Sequence, residues 1–268
     1  MLVFVAALLL HQGGEGGGGG GGVRPLPRRA DRPDLRAGLD TLYAGSFPEA
    51  AQYFATLAAR DTSDAAPLIF QAGAFIWWAA AKDSDVFAQR EIDSLLDRAI
   101  QTARSSAPGL DHDFWLATAI GYRARERELH GHSWSAAKDA KAMRDGYARV
   151  LAADSSCNDC WLGLGLYSYG LARASALARL VSKIIGLGSG NAAEGLAMLR
   201  RAATQGDLAR VEATWVLAAA LAREAARDQS GRAEHRAEAV AVVDGLARRY
   251  PANPVFQHFL LHVTDWAP

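Results

Sequence analysis

Two cysteines, Cys157 and Cys160, have the spacing in this sequence that most directly suggests chemistry. A C-x-x-C pair at a predicted helix start can act as a redox dithiol, because the helix macrodipole favours the thiolate. Redox sites of this type also lie in a βαβ setting, haem attachment needs His where Trp161 stands, and a zinc site needs two further ligands. The surrounding sequence provides none of these features, and it contains no second cysteine pair.

Three interpretations of the cysteine pair therefore stay open: a local disulfide, two free structural thiols, and a metal or redox site. Oxidising compartments form and keep disulfides, so an exported protein would join the two cysteines and stiffen the start of the helix. We expect a disulfide between Cys157 and Cys160, with a thiol-redox or metal-binding role as the alternative.

Side chains that could bind a metal ion lie at the two ends of one predicted helix. His112 stands between Asp111 and Asp113, whereas His130 and His132 follow the helix. About 18 residues of helix, or about 27 Å, separate the two groups, so they cannot share one ion. Motifs for a nucleophilic serine, a phosphate-binding loop and a zinc protease are missing as well. The sequence therefore predicts no metal site, no cofactor and no catalytic residues.

Composition favours an all-α protein without a nucleic-acid partner. Apolar residues make up 50% of the chain, Ala, Leu and Arg recur throughout, and alternating β-branched runs are scarce. Lys and Arg together number 29, as do Asp and Glu, which leaves a formal net charge of +0. Such a balance creates no overall field that would attract nucleic acid. The elements that position any site must therefore be helices.

Residues 1–33 differ in composition from the rest of the chain. An unbroken apolar stretch over 2–10 is followed by a Gly-rich run and a segment rich in Pro and Arg. The stretch is too short to span a bilayer but matches the apolar region of a secretory signal, although no basic residue precedes it and no clear cleavage site follows. We expect a leader and a disordered linker, and export to a bacterial periplasm or a membrane-proximal location. A wrongly assigned start would instead leave the protein cytoplasmic.

Two eight-residue segments in the middle of the chain resemble each other. Segments 113–120 and 159–166 align without gaps, and each comes directly after a turn-like stretch. Both match the pattern W-x2-L-G-x2-Y that opens a tetratricopeptide unit. The matching residues are Trp161, Leu164 and Gly165 in one copy and Trp115, Ala119 and Tyr122 in the other.

The first helical unit resembles the tetratricopeptide repeat (TPR) family over a complete helix hairpin. Small residues at Gly38 and Ala50 would let two antiparallel helices approach, and Phe47 and Phe54 would fill the space between them. Further residues at the family spacing are Gly45, in the turn, and Leu57. The resemblance implies a right-handed superhelical solenoid of antiparallel helix pairs.

About five such pairs are predicted along residues 34–268, which we treat as one TPR-like domain. The pairs cover residues 34–60, 64–107, 111–153, 159–205 and 208–249. Because the second unit exceeds the standard repeat length by about a dozen residues, we expect unusually long helices or wide loops there. A last helix over 253–264 is expected to cap the apolar end of the array.

An insertion over residues 172–190 interrupts the fourth pair. Its apolar residues recur at spacings of three and four, and three glycines follow them, which predicts an amphipathic helix. This helix either packs on the solenoid or provides a membrane-surface or partner-docking element.

Members of the resembled family bind ligands in a concave groove lined by the first helix of each pair. Aromatic and Arg side chains in such a groove would suit a peptide or protein partner, although the same aromatics could instead pack between helices. The residues that occupy the groove positions are Tyr43, Trp77, Trp78, Arg123, Tyr169, Trp215 and Arg223. The resemblance thus predicts a non-enzymatic interaction scaffold, with a redox or metal-binding protein and a peripheral membrane adaptor as alternatives.

Overall fold

The computed structural model describes residues 32–174 and 186–263, and all regular structure within these ranges is helical. The predicted leader up to residue 31 and residues 175–185 of the predicted insertion lie outside the described residues. Eleven helices are described, which confirms the all-α prediction. They are α1 (Pro33–Tyr43), α2 (Phe47–Arg60), α3 (Ala66–Ala81), α4 (Gln89–Ser105), α5 (Leu110–Leu129), α6 (Ser133–Ala153), α7 (Cys160–Arg173), α8 (Ala192–Gln205), α9 (Arg210–Arg227), α10 (Arg232–Arg249) and α11 (Pro254–His262).

Each predicted pair corresponds to two consecutive helices that pack against each other, from α1 with α2 to α9 with α10. In the second pair, where the extra length is predicted, α3 has 16 residues and α4 has 17, and residues 82–88 connect them. The helices of the third pair are longer, with 20 residues in α5 and 21 in α6. Packing between adjacent helices is consistent with a helical repeat.

Close packing within the first pair depends on Gly38. A methyl group at this position would lie 2.5 Å from the ring of Phe54, which is itself fully buried. The turn to α2 passes through Gly45, whose φ of +91° favours glycine, and Pro48 lies in the first turn of the second helix. The sequence features that predicted a hairpin therefore have the expected structural roles here.

First helices of consecutive pairs also touch one another, since α1 contacts α3, α3 contacts α5 and α5 contacts α7. We call these four helices the inner layer. Their shared side is the one that the resemblance assigns to ligand binding.

The two ends of the helical array are joined, which the sequence does not predict. The side-chain amide of Asn253 donates a hydrogen bond of 2.9 Å to the backbone carbonyl of Tyr43. Tyr250 donates its hydroxyl to Asp40 at 3.1 Å, and Arg36 forms an ion pair with Asp207. The first pair therefore contacts the fifth pair as well as its neighbour in sequence.

The last helix, α11, packs against α10 and also against α3 of the inner layer. Its Phe256 is fully buried, with ring centroids 5.6 Å from Trp77 and 6.0 Å from Trp215. A simple cap would touch the terminal pair alone. In the structure, α11 covers aromatic side chains of α3 and α9, and we call this covered surface the inner face.

Within residues 32–174 and 186–263, no helix combines the length and the hydropathy that crossing a membrane requires.

Candidate functional site

Three aromatic residues predicted for the groove come together on the inner side of the fold. The ring of Trp77 lies 5.5 Å from Tyr43 and 5.9 Å from Trp215, measured between centroids. Tyr43 and Trp77 are only 3% and 4% exposed, whereas Trp215 is partly exposed. These rings therefore belong largely to the core, and Trp215 connects them to the surface of the inner face.

Trp78 lies on another side of α3 from this group. Its ring centroid is 4.9 Å from Phe87 and 6.3 Å from Phe75, and the Lys82 ammonium lies 5.6 Å from it. Trp78 is thus part of a separate, partly exposed aromatic group near the turn between α3 and α4.

Arg123 holds α4, α5 and α6 together through charged hydrogen bonds. Its guanidinium donates two bonds to the buried carboxylate of Asp139, at 2.8 and 3.0 Å, and one to Asp97 at 3.0 Å. Arg127 donates to the same Asp139 at 2.7 Å. Because both of its acidic partners are supplied by the fold, Arg123 has a structural role in this arrangement.

Tyr169 and Arg223 lie in the C-terminal halves of α7 and α9. Tyr169 is buried and donates its hydroxyl to Glu224 at 2.8 Å, beside the guanidinium of Arg173. Arg223 is partly exposed. The structure therefore brings neither residue together with Tyr43, Trp77 and Trp215.

A carboxylate lies next to the clustered aromatic rings. Glu212 is in the first turn of α9, three residues before Trp215, so the two side chains share one helix face. The hydroxyl of Tyr122 on α5 donates a hydrogen bond to this carboxylate. Burial raises the pKa of Glu212, although the Tyr122 hydrogen bond and the charge of Arg125 act in the opposite direction.

The charge of Glu212 is not matched by a nearby cation. Among the described residues its carboxylate forms no ion pair, and the guanidinium of Arg125 binds Glu126 instead. The surface of Glu212 is nevertheless partly exposed, as is that of Tyr122. Glu212 is therefore partly accessible to a small group.

Tyr43 lies within electrostatic reach of this carboxylate. Burial, followed by the negative charge of Glu212, raises the pKa of Tyr43 well above its usual value. Within the described chain the hydroxyl has no hydrogen-bond partner. We refer to the five residues as the inner cluster. They are Tyr43, Trp77, Tyr122, Glu212 and Trp215.

Sequence reasoning found the three aromatic members of the inner cluster from repeat positions but missed its polar members. Tyr122 matches the final Tyr of the repeat pattern W-x2-L-G-x2-Y but is not a groove position, and Glu212 belongs to no motif. A usable signal is the spacing between Glu212 and Trp215, because residues three apart on a helix lie on one face.

Cys157, in the turn before α7, forms a disulfide with Cys160, the first residue of that helix, and their Cα atoms are 5.5 Å apart. The two residues are 4% and 0% exposed. A thiolate must reach a sulfur atom in order to exchange with it, so burial makes this disulfide a poor redox centre. Its position suits a structural role at the start of α7.

Asp159, between the two cysteines, fixes the approach to α9. Its carboxylate accepts hydrogen bonds from the backbone N–H groups of Asp207, Leu208 and Ala209, at 2.6, 3.1 and 3.3 Å. The first turn of α9, which carries Glu212, is therefore positioned by a residue next to the disulfide.

The histidines near the ends of α5 do not assemble into a site. The ring of His112 lies 3.1 Å from the Ser106 hydroxyl, and that of His130 lies 3.8 Å from Glu126. No group of three or more metal-binding side chains is found in the described ranges.

Comparison with known proteins finds no matching family model, no matching curated protein and no matching solved structure. The TPR resemblance therefore depends on the repeat residues and on the helix pairs themselves.

Proposed function

We propose that this chain is a non-enzymatic interaction protein of the TPR type, a right-handed superhelix whose inner face binds a segment of a partner protein. The observation that carries the proposal is the position of α11, which is a short helix already seated on that face. The chain thereby provides an example of the kind of segment that the inner face accepts.

Two phenylalanines of α11 make the contacts. Phe256 lies against Trp77 and Trp215, and Phe259, one helical turn later, has its ring centroid 5.3 Å from Trp215. Aromatic side chains provide much of the binding energy of protein interfaces. A partner helix with large apolar residues three positions apart would therefore meet the same rings and would compete with α11.

A peptide of residues 253–263, the chain's own α11, provides a direct test on the full-length protein. We expect the labelled peptide to bind weakly to the wild type, because α11 already occupies the face. A variant with Phe256→Ala and Phe259→Ala should bind the peptide more tightly by about tenfold or more, since loss of two buried rings weakens the internal competitor.

Adding Trp215→Ala to that variant should abolish peptide binding, and a scrambled peptide serves as the control. Equal binding of the native and scrambled peptides would contradict the proposal. Tight peptide binding that persists after Trp215→Ala would contradict it as well. Circular dichroism of each variant separates loss of binding from loss of the fold.

The disulfide supports the further proposal that the protein is exported, because oxidising compartments retain such bonds. Alkylation of the protein taken directly from cells distinguishes the locations. Unmodified cysteines under denaturing conditions without reductant would support export, whereas two alkylated cysteines would favour the cytoplasm.

A further inference from the structure

We propose that the inner cluster binds a cation, namely the ammonium or guanidinium group of a Lys or Arg side chain carried by the partner segment. This inference rests on the proposed function and specifies the chemistry of the ligand. It comes from one observation that α11 leaves unexplained, the unmatched carboxylate of Glu212.

Removing a carboxylate from water costs several kcal/mol unless a cation or several hydrogen bonds replace the lost solvation. Glu212 receives one hydrogen bond, from Tyr122, and no ion pair from any described residue. The positive charge of Arg125 favours the ionised form of Glu212, but the Arg125 guanidinium is held by Glu126. The fold thus maintains an acid whose natural partner is not supplied by the described chain.

The other members of the inner cluster suit a positive charge as well. Trp77 and Trp215 have electron-rich faces that attract ammonium and guanidinium groups, with Trp the most effective aromatic residue. Tyr43 adds a hydroxyl oxygen without a hydrogen-bond partner in the described chain, and the buried carboxylate of Asp159 contributes further negative potential near it. An anionic ligand would be repelled, and an apolar ligand would leave the carboxylate unmatched.

α11 provides apolar contacts to this face but no such cation. Its sequence from Pro254 to His262 contains two histidines and neither Lys nor Arg, and both His258 and His262 are exposed. A partner segment that combines apolar residues with one Lys or Arg would therefore make an interaction that the internal helix does not make. This difference gives the partner an advantage in the competition.

The test uses N-acetyl-lysine methylamide as the probe and neutral N-acetyl-norleucine methylamide as its control, both at constant ionic strength. Tryptophan fluorescence of the full-length protein, which has 7 tryptophans, reports binding, and the variants below assign the change to the inner cluster. We expect saturable binding of the lysine derivative and none of the neutral one. Glu212→Gln should weaken that binding by about tenfold, the value of one charge-assisted contact.

Two further variants separate charge from folding. Glu91→Gln removes an exposed acid in the first turn of α4 and should leave binding unchanged. Tyr122→Phe removes the hydrogen bond to the Glu212 carboxylate but keeps its charge, so binding should weaken by about threefold, less than in Glu212→Gln. If Glu212→Gln does not fold, this partial loss in Tyr122→Phe and a complete loss in Trp215→Leu still support the inner cluster.

Equal binding by the wild type and Glu212→Gln, or no binding by the wild type, would overturn the cation inference. The peptide of residues 253–263 carries no Lys or Arg, so its binding tests the inner face independently. Binding of that peptide without binding of the lysine derivative would remove the cation inference and leave the proposed function standing.

Discussion

Asn253 and Tyr43 are joined by a hydrogen bond from the Asn253 side-chain amide to the Tyr43 backbone carbonyl, across 210 positions of sequence. The side-chain oxygen of the same Asn253 accepts a hydrogen bond from the backbone N–H of Val255 at 3.0 Å and caps α11. One buried residue therefore fixes the end of α1 and the start of α11. Through Tyr43, this contact also positions the inner cluster.

We expect Asn253→Ala to destabilise the protein by about 2–3 kcal/mol, since it removes a helix cap and leaves a buried carbonyl unpaired. Urea unfolding measures the change. The control is Asn191→Ala, which removes the exposed cap of α8 and should cost about 1 kcal/mol. Equal losses in the two variants would show that the contact between Asn253 and Tyr43 contributes nothing.

Gly38→Ala should destabilise the first helix pair by about 1–3 kcal/mol, because the added methyl group overlaps the buried ring of Phe54. Gly245→Ala is the matched control on α10, where an added methyl group meets no atom within 4 Å. At Gly245 we expect the free energy of unfolding to rise by about 0.5–1 kcal/mol, because Ala has a higher helix propensity than Gly. Thermal unfolding of both variants provides the measurement: the midpoint should fall for Gly38→Ala and rise for Gly245→Ala.

Much of the helical architecture was predictable because its signals are local. Gly45 and Pro48 mark the turn in the first pair, and Trp115 and Trp161 mark corresponding helices in two later pairs. The closure of the array was not predictable. It depends on contacts such as that between Asn253 and Tyr43, whose partners share no local pattern.

The candidate site was predictable only in part, for a related reason. Repeat positions identified Tyr43, Trp77 and Trp215, since the inner side of each first helix follows from its register. The same positions also selected Arg123, whose acidic partners Asp97 and Asp139 come from other helices. Whether a side chain faces a ligand or an internal partner depends on residues that the pattern does not include.

Stability should fall with rising pH through the titration of Glu212. Burial raises its pKa in the folded protein, so the folded state binds the proton more tightly than the unfolded chain. The stabilisation is complete below the unfolded pKa of about 4.3 and is lost as the pH rises through the folded value. Burial raises the pKa of both neighbouring tyrosines, Tyr43 and Tyr122, so these hydroxyls stay protonated in this range.

Glu212→Gln removes that titration, so its stability relative to the wild type should increase as the pH rises above the unfolded Glu pKa of about 4.3. Urea unfolding across this range provides the measurement, with the exposed Glu91→Gln as the control. A constant difference between Glu212→Gln and the wild type would contradict the assignment.

Reduction of the disulfide should lower stability by about 2 kcal/mol, the value expected for a very short closed loop. A variant with both Cys157→Ala and Cys160→Ala should match the reduced wild type and should not respond to reductant. Thermal unfolding with and without tris(2-carboxyethyl)phosphine makes the comparison. Because Asp159 lies between the cysteines, lysine-derivative binding should weaken in parallel if the turn positions α9.

Amide hydrogen exchange of the full-length protein with saturating peptide of residues 253–263 tests competition for the inner face most directly. Isotope-labelled peptide keeps its fragments distinct from those of the chain. We expect the amides of α11 to exchange faster when the peptide is present, because the internal helix is displaced, while the amides of α3 and α9 stay protected. Unchanged exchange in α11 at full peptide occupancy would contradict the proposal that the inner face is the binding site.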